Sequence, residues 1–166
     1  MQLYHGSVEI IEHPKILDQQ RLLDFGKGFY TTTNKEQAER WAAIKQKRIL
    51  KTAKAFVTVY EFNEILLKND TLKIKIFTQA NEQWLDFVIH NRSIDSDADY
   101  DIVVGPVAND TFYRTLTLYE VEILTKKETI ARLKVHPLFD QVSFHNHNHN
   151  ALEHLKFINA YPVMTK

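Results

Sequence analysis

With 166 residues, 44% of them hydrophobic and 25% charged, the chain has the composition of one folded domain with a core of its own, which disfavours wholesale disorder or a coiled-coil rod. Twenty-one basic residues balance twenty-one acidic ones, so polyanion binding by bulk charge is disfavoured and only a local basic patch is left open. The absence of cysteine removes disulfides, cysteine-ligated zinc and a thiol nucleophile.

The opening residues, Met1-Gln2-Leu3-Tyr4-His5-Gly6, contain no basic stretch followed by an apolar one, and no apolar run approaches bilayer length. A single cytoplasmic domain over residues 1–166, with no membrane partner, is the expectation. Residues 3–5 are expected to form a short strand running into Gly6-Ser7. Residues 15–23 read as a helix or an irregular segment that Gly26 and Gly28 bring to an end. Thr33-Asn34-Lys35-Glu36 has the spacing of a capping box, with the Thr33 oxygen accepting from the backbone and Glu36 reaching back. The helix it opens carries Ala38, Trp41, Ala42 and Ile49 as an apolar stripe.

Residues 55–62, rich in β-branched and aromatic types, predict a strand, as does the Ile/Lys alternation of residues 72–77. Residues 82–90 place Trp84, Leu85, Val88 and Ile89 on one helical face. Residues 102–107 predict a buried strand that leaves through Gly105-Pro106. Asp110 is expected to cap a helix reaching about Leu124. Thr125-Lys126-Lys127-Glu128 forms a second capping box. A strand is expected over residues 141–145, then a last helix marked by Asn150 and Glu153 and carrying Leu152, Leu155 and Ile158. This order predicts an α+β domain with helices packed on antiparallel or mixed sheets.

The chain has only four glycines, at positions 6, 26, 28 and 105. Glycine weakens ordinary elements, so in a glycine-poor chain it marks turns or close backbone approach. A turn suffices for VVGPV. In HGS and DFGKGFY the neighbours His5 and Tyr30 carry chemistry as well. On residue type and periodicity alone, the better reading of His5 is a strand-end histidine satisfied by backbone, and of Tyr30 and Trp41 core aromatics. The spacings of a phosphate loop, a dinucleotide-binding turn and a nucleophile elbow are all absent. His145, His147 and His149 alternate as imidazole ligands on one strand face would. The tract has no carboxylate close in sequence and precedes a polar cap, so a turn is the better reading and no metal is expected. Asn109 and Asp110 read as a helix cap, with the acceptor side of a cleft as the alternative.

Taken together, LYHGS, FGKGFYTT, YDIVVGPVAND and FDQVSF resemble the ADP-ribosyltransferase superfamily, in its diphtheria-toxin and poly(ADP-ribose) polymerase branch. The likeness is greatest to small bacterial domains of toxin–antitoxin pairs. The resemblance implies a split β-sandwich of two small sheets with surrounding helices, and NAD as substrate in the cleft between the sheets. It implies a catalytic set of His5, Tyr30 and Gln141, with His5, Gly6, Ser7, Gly28, Tyr30, Thr31 and Trp41 binding NAD. His5 would bond the adenosine-side ribose and the Gly6 backbone the nicotinamide carboxamide. Tyr30 and Trp41, eleven residues apart, would flank the pyridinium, which an electron-rich aromatic face attracts.

Gln141 stands where the polymerases carry a catalytic glutamate. An amide keeps the ribose hydrogen bond but loses a charge contribution on the order of a few kcal/mol. Transfer of a single ADP-ribose is therefore implied rather than polymer synthesis. Asp140 falls on the other strand face. Ala38 replaces a serine that bonds the carboxamide in the polymerases. Phe139 stands where arginine-modifying relatives carry an acidic or amide residue, which disfavours an arginine acceptor. The implied partners are a protein or nucleic-acid acceptor and a small antitoxin. The alternatives are a weak or inactive NAD- or ADP-ribose-binding domain and an RNA 2′-phosphotransferase-like enzyme. For the latter, only Arg21 and Arg40 lie near the first two blocks.

Overall fold

The strands and helices follow from where the chain places β-branched runs, caps and small residues. The computed structural model describes residues 1–17, 23–49, 54–68, 70–93, 99–107, 110–133, 140–145, 147 and 149–164. In chain order they form β1 (Gln2–Ser7), β2 (Phe29–Thr31), α1 (Lys35–Ile49), β3 (Ala55–Glu61), β4 (Ile74–Ile76), α2 (Glu82–Ser93), β5 (Ile102–Pro106), α3 (Asp110–Glu120), α4 (Lys126–Leu133), β6 (Asp140–Phe144) and β7 (Lys156–Val163). Short 3-10 turns occupy Glu64–Lys68 and Ala151–His154. No helix among the described residues is long and apolar enough to cross a membrane.

The expected α+β architecture is present as two sheets. One has the order β1-β3-β7 and is antiparallel throughout; the other has the order β2-β6-β5-β4, with only the β4–β5 pair parallel. The sheets touch where Tyr4 of β1 exchanges backbone hydrogen bonds with Thr32, just past β2.

Strand alternation then sorts the side chains. Leu3, Phe29, Ile102, Val142 and Phe144 belong to one buried cluster, together with Tyr60 and Phe62. Tyr30 faces the opposite side of its sheet, into a second cluster with Trp84, Leu85, Val88 and Leu116. Because successive strand residues point to opposite faces, Gln141 shares a face with Ser143, whose register partner is Tyr30.

Helix α1 lies directly on β1. A Cβ added at Gly6 would sit 2.0 Å from the Ala38 carbonyl oxygen and 2.7 Å from the Ala42 nitrogen. Glycine on the strand and fully buried alanines on the helix permit this contact. Ala38 is thus part of the helix–strand seam.

Three expectations are corrected. The α1 cap is Asn34, whose Oδ1 accepts from Gln37 N at 2.9 Å, while the Thr33 hydroxyl donates to the Asp140 carboxylate instead. Ile49, at the end of the expected apolar stripe, is exposed. Helix α3 stops at Glu120, short of Leu124, and the chain turns at Glu122 with φ 58°.

A further correction is the last helix. After one 3-10 turn the chain becomes β7, because β3 is a central strand whose second edge needs backbone partners. That pairing overrides the helical spacing of Leu152, Leu155 and Ile158, the last of which is exposed. The second capping box does form: Glu128 Oε2 accepts from Thr125 N at 2.9 Å, and Thr125 Oγ1 accepts from Glu128 N at 3.3 Å. Part of the 15–23 segment and Arg21, Asn109 and Phe139 lie outside the described residues.

Candidate functional site

A cleft of about 1130 Å³ opens beside the seam of the two sheets. Its walls are β1 with the segment after it, the turn at residues 23–28 with β2, one face of α1, and Gln141 of β6. His5, Ser7, Gly28, Tyr30, Trp41 and Gln141, six of the residues singled out in the sequence, line it.

His5 sits on the face of β1 turned toward β2 and β6. Its ring stacks on Phe29 at 4.3 Å between centroids and 22° between planes. Nδ1 lies 2.6 Å from the Tyr30 carbonyl oxygen, which can only accept, so Nδ1 carries the hydrogen. Nε2 is then a lone-pair acceptor, with the Lys45 ammonium 3.5 Å away. Burial, with a lesser contribution from Lys45, lowers the His5 pKa to about 3 against the opposing carbonyl bond, so the ring is neutral at physiological pH.

The Tyr30 hydroxyl accepts from Phe25 N at 3.0 Å and donates to the Gly26 carbonyl at 2.7 Å. Its aromatic ring is thereby tied to the turn before it, and burial raises its pKa well above the ordinary value. A Cβ on Gly28 would come within 2.7 Å of the His145 ring, whose Nδ1 in turn meets the Lys27 carbonyl at 2.6 Å. Gly28 therefore lets the turn close onto β6.

The α1 face toward the cleft carries Gln37, Arg40, Trp41, Ile44, Lys45 and Arg48, at the i, i+3, i+4 spacing of one helical stripe. Three of the six are basic, although the whole chain is neutral. Burial brings the Lys45 pKa down to about 8, so it is still a cation at neutral pH. Sequence reasoning passed over Lys45 and Arg48; the four-residue spacing from Trp41 to Lys45 was the available signal.

Two sequence-selected residues are placed differently. Thr31 is fully buried on the other face of β2, where its hydroxyl donates to the Val142 carbonyl at 2.8 Å, so it does not reach the cleft. Gly6 turns its α-carbon to α1. Its N–H and C=O share the strand edge of Tyr4 by alternation, and that edge points past the Tyr4–Thr32 bridge toward β2.

Gln141 is 2% exposed, and its Nε2 donates toward Asp24 Oδ2 and the Pro106 carbonyl, both at 3.4 Å. Asp24, not singled out in the sequence, is a buried carboxylate in the cleft wall that pairs with Arg92 at 3.5 Å. Asp140 bonds Thr33 away from the cleft, on the strand face expected for it. His145 and His149 do not converge: the first bonds Lys27 and Ser143, the second Asp101. No group of three metal-capable side chains occurs among the described residues.

Fold and site together define a two-sheet α+β domain with a ligand-sized cleft, aromatic and cationic on its helical wall and hydrogen-bonding on its strand wall. The family model described as "Protein of unknown function (DUF3990)" matches residues 1–157, and the chain belongs to that family. Comparison with curated proteins and with solved structures gives no match.

Proposed function

We propose that this domain transfers a single ADP-ribose from NAD to an acceptor. The observation that supports the reading is convergence: His5, Tyr30, Trp41 and Gln141, from four separate elements, line one cleft. All four are among the residues that the resemblance implies for NAD.

In this reading the nicotinamide ring lies against Tyr30 and Trp41, with its carboxamide on the N–H and C=O of Gly6. The acceptor lone pair of His5 Nε2 receives a hydroxyl of the adenosine ribose, and the cationic stripe of α1 faces the diphosphate. Gln141 Oε1 accepts from a hydroxyl of the nicotinamide ribose. The nucleophilic atom of the acceptor attacks C1′ in line. The C1′–N1 bond breaks with its electron pair going to nicotinamide, which leaves neutral, and the acceptor's proton passes to solvent. Bond breaking runs ahead of bond making, so positive charge on the ribose peaks when the C1′–N1 bond is nearly broken and the new bond barely formed. A fixed acceptor oxygen beside that charge lowers the barrier. The setting implied by the sequence likeness is a cytoplasmic bacterial toxin restrained by a small antitoxin protein.

The test is incubation of the purified protein with adenylate-labelled NAD and a cell lysate. Transfer of label with release of nicotinamide is expected, and both are lost in His5→Ala and Tyr30→Ala. Release without transfer would instead identify an NAD hydrolase. Neither release nor transfer, in a wild-type protein that binds NAD, would identify a binding domain and overturn the reading.

A further inference from the structure

The ADP-ribosyl transfer reading leaves the site without the carboxylate its chemistry favours at position 141. A carboxylate is nevertheless present one contact behind that position. Asp24 is 2% exposed, lines the cleft, and comes from the turn that also holds the Tyr30 hydroxyl. Its Oδ2 is 3.4 Å from Gln141 Nε2. The Pro106 carbonyl lies at the same distance from that nitrogen.

Both oxygens only accept, so the NH₂ end of the Gln141 amide must face them. The reverse orientation would press Oε1 against two oxygens. Oε1 is thereby left on the other side of the amide. Burying a carboxylate is costly without compensation, and here Arg92 supplies it, 3.5 Å from Asp24 Oδ1 and 3.5 Å from Glu120. Arg92 also lies over the ring of Tyr113, another residue of the cleft wall. A structural ion pair alone accounts for Asp24 with Arg92. It does not account for a carboxylate aimed at the one amide that replaces a glutamate.

We infer that Asp24 is the positioning residue of this site: it fixes the Gln141 amide with Oε1 toward the substrate and places behind it the negative charge that glutamine lacks. The inference rests on the transfer reading for the identity of the substrate, while the fixed amide orientation stands on the geometry. A hydrogen bond polarised by an anion strengthens the acceptor at its far end, and a charge in a dry site is felt across one further contact.

A charge exchange tests this. Nicotinamide release from NAD is measured for wild type, Asp24→Asn, Gln141→Glu and the double variant, with thermal unfolding as the check on folding. Asp24→Asn is expected to lower kcat roughly tenfold or more while KM stays within about threefold. Gln141→Glu puts two carboxylates within hydrogen-bond reach, where one retains a proton, so no gain in kcat is expected at neutral pH. The double variant restores one carboxylate and one amide in exchanged order, and recovery to within about threefold of wild type is expected. Wild-type kcat in Asp24→Asn, or additive losses in the double variant, would overturn the inference and leave the transfer reading intact.

A second measurement does not need turnover. The side-chain NH₂ signals of Gln141 in a nitrogen-15 NMR spectrum, assigned by their loss in Gln141→Glu, are expected to shift in Asp24→Asn. Unmoved signals would overturn the inference. Shifted signals in a wild-type protein that neither binds nor cleaves NAD would uphold the positioning and overturn the transfer reading instead.

Discussion

The Nδ1 of His5 lies 2.6 Å from the carbonyl oxygen of Tyr30, so two residues far apart in sequence are joined across the seam between the sheets. This bond fixes the tautomer of His5, aims Nε2 outward, and holds β2 at a set distance from β1. Burial of the ring, which that bond only partly offsets, makes acid a threat to the fold. Burial depresses the pKa of His5 to about 3 and that of His145 to about 4, whereas both titrate near 6.5 when unfolded. Below pH 6.5 the unfolded state binds more protons than the folded one, so stability is full above that pH and falls as the pH drops toward 4. The limiting slope is about 1.4 kcal/mol per pH unit for each ring. Denaturant unfolding at pH 7.5, 5.5 and 4.5 is expected to show this decline, and His145→Asn is expected to flatten it.

The Tyr30 hydroxyl makes two buried bonds to the turn before it, so Tyr30→Phe leaves a donor and an acceptor unmet. A loss of about 1–3 kcal/mol in unfolding free energy is expected. The aromatic face remains, so kcat for nicotinamide release should fall less in Tyr30→Phe than in Tyr30→Ala.

Gly6→Ala forces a methyl to within 2.0 Å of a backbone carbonyl, where no side chain can rotate out of the way. Helix α1 must move off β1. A destabilisation of about 3 kcal/mol or more, with loss of NAD binding, is expected by thermal unfolding and calorimetry.

Trp41 lines the cleft, while Trp84, the chain's second tryptophan, is fully buried in the core. Titration with NAD is expected to quench part of the tryptophan fluorescence in wild type and none in Trp41→Phe. Trp41→Ala removes a face worth about 1–2 kcal/mol against a pyridinium, a roughly five- to thirty-fold rise in KM.

Lys45, with its pKa lowered to about 8 by burial, is charged below that pH and neutral above it. Affinity for ADP-ribose is therefore expected to fall as the pH rises through about 8. Lys45→Met should weaken binding roughly tenfold at pH 7 and flatten the profile. An unchanged profile in the variant would detach Lys45 from the diphosphate.

Local features were legible wherever the residues nearby decide the outcome. Strand β3 and helix α2 follow their patterns, and the second capping box forms between residues three apart. The failures came from contacts made far along the chain. Thr33 left its capping role because Asp140, distant in sequence, took its hydroxyl. The last helix gave way to β7 because a central strand needed an edge. Thr31 left the expected site because period-2 alternation from Tyr30 turns it into the core.

By itself the sequence determined the α+β class, most of the element order, and a short set of residues most of which line one cleft. Side-chain type and spacing suffice for that, since helices and strands answer to neighbours a few residues away. Only the tertiary structure decided that Asp24 stands behind Gln141, that Lys45 meets His5, and that His145 packs under Gly28. Each of these pairs is set by how two sheets and a helix are laid together. A buried charge finds its partner through space, and no spacing in the chain records it.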